Sequence, residues 1–116
     1  MEKGMTLRQF LNSFNWTNVY FILNRVKWVS AYEDGRICDG DYETVYDETT
    51  NNKENNIEPF LDIVIRDIMA APSDDNEIAV LQLSEDIWQY VDIAKDCKYG
   101  VWERYPGACE WLTNEL

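Results

Sequence analysis

Histidine is missing from this 116-residue chain. Its absence removes the most common general base and the most common metal ligand. It also rules out Ser-His-Asp and Cys-His nucleophilic arrangements. Cysteine is scarce: Cys38, Cys97 and Cys109 are widely spaced and form no CxxC pair. Zinc sets containing His are therefore excluded, and three thiolates cannot complete a Cys₄ site. Small buried thiols in a reducing cytosol are the expected state of these cysteines. No apolar run approaches the ~20 residues that cross a bilayer, and the longest, Val19–Leu23, has the length of a strand. The opening Met-Glu-Lys-Gly-Met-Thr does not read as a signal peptide, so a cytoplasmic location is expected. With only five glycines and three prolines there is no GxSxG, GxGxxG or GxxxxGK[ST].

Positive charge is also sparse. Ten Lys and Arg stand against 22 Asp and Glu, for a net charge of −12. Nucleic acid and anionic membrane surfaces repel such a chain, whereas a cationic protein surface attracts it. The competing reading is that the charge only maintains solubility. The acidity is concentrated: nine carboxylates lie between Glu33 and Glu58 against two bases, Arg36 and Lys53. A second acidic block starts at Asp74 and Asp75. The chain is 46% hydrophobic, with five Trp, seven Tyr and four Phe. Disordered acidic tails are poor in such residues. A single domain is expected over 1–116, with a β-rich core at about 17–83 and a helical segment at 84–116.

Local patterns divide the chain. Thr6 followed by Gln9 is a capping box, and Leu7, Phe10, Leu11 and Phe14 recur at helical spacing. Val19–Leu23 and Val26–Tyr32 read as strands separated by a possible turn at Asn24-Arg25. Asp34-Gly35 supplies a hairpin turn, and a short strand, Arg36–Asp39, returns until Gly40 ends it. Asp41–Asp47 reads as a turn or short helix, and Glu48–Asn56 as a polar connection. Phe60–Ala71 carries both strand and helix patterns; the Pro72–Asn76 turn and the apolar Ile78–Leu83 favour a hairpin. Ser84 is placed to cap a helix from Glu85 to Cys97, and Ala108–Asn114 reads as a last short helix. The expected fold is α+β: a mostly antiparallel sheet of about five strands, an N-terminal helix and a C-terminal helical segment.

The search for chemistry returns little. Counting an EF-hand from Asp39 places Thr44 and Thr50 where Gly and Glu are required, so the motif fails. No catalytic residue, metal or cofactor is assigned, and the chain is expected not to be an enzyme. Asp39, Asp41 and Glu43 are more suggestive. If that stretch is extended, they share one side at about 6.6 Å intervals, like the repeating charge of a nucleic-acid strand. A solvated face is the plain alternative. Tyr42 and Tyr46 stand among these carboxylates, and rings beside carboxylates suit arginine on a partner. The expected contact set is Glu33, Asp34, Asp39, Asp41, Tyr42, Glu43, Tyr46, Asp47, Glu48, Asp74 and Asp75.

In size, charge and the run from Tyr32-Glu33-Asp34-Gly35 through Gly40-Asp41-Tyr42-Glu43, the chain resembles the small acidic, aromatic-rich proteins of phages and mobile elements. Anti-CRISPR proteins and other DNA mimics belong to that class. The resemblance implies a non-enzymatic inhibitor of a basic, nucleic-acid-binding enzyme such as a Cas nuclease, with no direct contact to nucleic acid or membrane. The alternative is an accessory or self-associating regulatory protein whose acidity serves solubility.

Overall fold

A computed structural model describes residues 4–13, 19–50, 55–72, 79–97 and 100–104. The fold is α+β. Among the described residues, six strands form one mixed, mostly antiparallel sheet: in spatial order β1 (Met5–Thr6), β4 (Val64–Pro72), β5 (Ala79–Glu85), β2 (Val19–Ala31) and β3 (Ile37–Asp47), with β6 (Val101–Glu103) also on β2. The α-helices among the described residues are α1 (Leu7–Ser13) and α2 (Val91–Asp96).

The chain divides into two compact units, Met1–Arg25 with Thr44–Asp86, and Val26–Glu43 with Ile87–Leu116. The core of the first is Leu7, Phe21, Leu23, Ile65 and Leu83, with Phe10, Leu11 and Tyr46 packed against it. The expected capping box starts α1. The Thr6 N–H donates to Gln9 Oε1 at 3.0 Å and the Gln9 N–H to Thr6 Oγ1 at 3.2 Å, so two otherwise orphaned donors are satisfied. The core of the second unit is Val29, Ala31, Val91 and Ala94, ringed by Ile37, Ile87, Tyr90 and Trp102. Arg104 belongs to that unit. Its Nε donates to the Val26 carbonyl at 2.8 Å and its Nη2 to the Tyr90 hydroxyl at 2.5 Å. The Tyr90 ring in turn stacks on Trp102 with centroids 4.1 Å apart.

Several local expectations are overturned by strand pairing. The turn at residues 24 and 25 does not exist, because β2 runs unbroken through it. Asn24 pairs with Ser84 in a parallel β2–β5 ladder and its Oδ1 accepts from Thr44 Oγ1 at 2.9 Å. Arg25 lays its guanidinium 5.6 Å from the Phe60 ring centroid. The Thr44 hydroxyl thus takes up the Asn24 amide oxygen, whereas Arg25 Nε is buried without a hydrogen-bond partner among the described residues. Gly40 does not end the third strand, and residues 41–47 are neither turn nor helix; β3 continues to Asp47. A Cβ at position 40 would stand 2.5 Å from Ile87 Cδ1 and 3.4 Å from the Trp28 carbonyl oxygen. Here glycine permits close packing within a strand.

The 60–71 segment opens with a 3₁₀ turn, Glu58–Phe60, before β4 pairs antiparallel with β5. Ser84 and Glu85 belong to β5, so Ser84 caps no helix. A 3₁₀ turn, Ile87–Tyr90, and the shorter α2 replace the expected 85–97 helix. Instead of small buried thiols, Cys38 is exposed and free, and Cys97 is disulfide-bonded. The expected helix at 108–114 lies outside the described residues.

Candidate functional site: an acidic row on an edge strand

The site begins at the turn between β2 and β3. Gly35 adopts φ 91°, which glycine alone accepts without strain, and its N–H donates to the Tyr32 carbonyl at 2.9 Å. The Tyr32 N–H meets the Arg36 carbonyl at 2.8 Å, which starts the return strand. Asp34 is committed locally: one oxygen accepts the Arg36 N–H at 3.1 Å and the other pairs with Arg36 Nε at 2.7 Å. Arg36 also lies 5.0 Å from the centroid of the Tyr32 ring. That ring is 51% exposed, which makes it available to a partner. A hydrogen bond with the Cys38 side chain raises the Tyr32 phenol above its ordinary range, with electrostatic repulsion from Cys38, burial and Asp34 acting in the same direction. Glu33 is exposed at the same turn.

β3 is the last strand in the sheet order, so among the described residues it forms an edge. Asp39, Asp41 and Glu43 alternate along it and so project to one side. Asp39 and Asp41 are exposed and Glu43 is half-buried. The Gly40 N–H donates to Asp39 Oδ1 at 2.8 Å and the Tyr42 N–H to Asp41 Oδ1 at 2.9 Å. Two carboxylates are thereby held against the backbone, and each retains further acceptor positions, since a carboxylate offers about four lone-pair sites. The same bonds engage strand backbone donors with charged groups. Charge on an edge strand discourages edge-to-edge pairing. Tyr42 is half-buried.

The rest of the acidic stretch has structural work in the first unit. The ring of Tyr46 packs against Phe21 with centroids 5.1 Å apart. Asp47 organises the following turn: its Oδ1 accepts from the Thr49 N–H at 2.9 Å and from Thr49 Oγ1 at 2.5 Å. Asn55 also bonds the Asp47 backbone on both sides, accepting from its N–H at 3.0 Å and donating to its carbonyl at 2.6 Å. Glu48 Oε1 accepts the Phe21 N–H at 3.3 Å. Burial pushes the Glu48 carboxyl up, partly offset by that bond, and both burial and the Glu48 charge push the Tyr46 phenol up. Asp74 and Asp75 lie outside the described residues.

The raised carboxyl has a stability consequence. The folded chain holds a proton on Glu48 more tightly than the unfolded chain does, so this group's favourable contribution is complete below the ordinary carboxylate range, near pH 4, and is lost as pH rises through the raised value. Glu48→Gln keeps an acceptor for Phe21 and removes the charge. It is expected to raise Tm at pH 7, with the gain vanishing near pH 4. Melting curves across that range check this, and a gain that persists unchanged at low pH would refute the burial argument.

Among the described residues no group of three His, Cys, Asp or Glu is placed to hold a metal ion, and no helix is long and apolar enough to cross a membrane. The exposed thiol of Cys38 beside Tyr32 is a feature that the sequence does not signal, since nothing local marks that cysteine as outward-facing. No family model, curated protein or solved structure matches this chain.

Proposed function

We propose that this protein is a non-enzymatic inhibitor that occupies a basic, nucleic-acid-binding protein surface. Asp39, Asp41 and Glu43 stand in for successive phosphates, and Glu33, Tyr32 and Tyr42 extend the contact. The observation that carries this reading is the regular row on one extended strand, with Asp39 and Asp41 each bonded to the following backbone N–H. Carboxylates fixed before binding lose less conformational entropy when arginines or lysines meet them. Asp34 takes a supporting role because the Arg36 guanidinium already pairs with its charge, and Asp47 and Glu48 because they lie beyond the 39–43 row. The charge calls only for a basic surface; the resemblance to acidic phage and mobile-element proteins is what suggests a Cas nuclease as that partner, with the inhibitor competing against its nucleic acid.

Binding to such a nuclease, measured in competition with duplex DNA, tests the reading. The Asp39→Asn, Asp41→Asn, Glu43→Gln variant is expected to lose about 2 kcal/mol, roughly thirtyfold in Kd, since partly exposed ion pairs contribute up to about 1 kcal/mol each. Wild-type affinity is expected to fall as salt rises from about 0.05 M to about 0.5 M, with a shallower dependence for the variant. Equal affinity of variant and wild type, or binding indifferent to salt, would refute phosphate mimicry.

A further inference from the structure

We draw no further inference here: the strongest candidate, the 67–72 edge of β4 with its exposed Ile68 and Met69, is paired only with β5 among the described residues, and nothing in the structure shows what covers its other side.

Discussion

Replacing Leu83 with alanine is expected to lower stability by about 3 kcal/mol, within the 2–5 kcal/mol typical of buried Leu→Ala changes. Leu83 is fully buried in β5. It sits opposite Leu23 on the parallel side and opposite Ile68 on the antiparallel side. Strands on both sides leave little freedom for the cavity to collapse, and the cost of such a cavity grows with the volume left behind. The side chain belongs to a core of five buried residues among those described, with further apolar side chains packed around it. Urea unfolding measures the change, and an unaltered m value would assign it to the folded state. A loss below about 1 kcal/mol would show that this pocket repacks freely, contrary to the dense interior expected. Leu23→Ala combined with Leu83→Ala is expected to be non-additive, because residues in contact couple.

Gly100→Ala is expected to cost a similar amount by a different route. Gly100 holds φ 67°, and a Cβ there would run into the Ala31 carbonyl oxygen. The left-handed backbone alone costs an ordinary residue about 1–2 kcal/mol, and forced overpacking adds about 1–3 kcal/mol. Relief by movement is restricted. The Gly100 carbonyl accepts the Ala31 N–H at 2.8 Å, and its own N–H donates to the Cys97 carbonyl at 2.9 Å. Gly35 supplies the control. Its φ is also positive, at 91°, but a Cβ there would meet only Lys95 Nζ at 3.7 Å. Gly35→Ala is therefore expected to show the conformational penalty alone, about 1–2 kcal/mol. Equal losses at the two positions would mean that the Ala31 contact contributes nothing. Thermal unfolding of both variants beside wild type decides this.

Local signals in the sequence succeed where the structure they imply is also local. Thr6 and Gln9 are three residues apart, and their reciprocal bonds form within one helical turn. Asp34-Gly35 marks a turn that closes between Tyr32 and Arg36. The same kind of signal misleads at Asn24-Arg25, Gly40 and Ser84. Each is a credible turn, breaker or cap by itself, and each is absorbed into a strand because a distant segment lies alongside. Asn24 meets Ser84, and Gly40 meets Ile87 and Trp28. Pairing with neighbours overrides intrinsic preference in sheets more readily than in helices.

The candidate site divides the same way. That Asp39, Asp41 and Glu43 are spaced for one side of a strand is visible in the sequence, as is the net charge of −12 on which the proposed cationic partner rests. Both depend only on residue identity and on the two-residue period of extended backbone. That β3 is extended throughout, and stands at the sheet edge, was decided by the tertiary structure. Tertiary structure also set apart Tyr46 and Glu48, which neighbouring sequence groups with the row: contacts with Phe21, 25 and 27 positions earlier in the chain, give them other work. Composition and spacing act over a few residues, whereas partners brought together by folding determine which side chains are drawn into packing and long-range bonds within the chain.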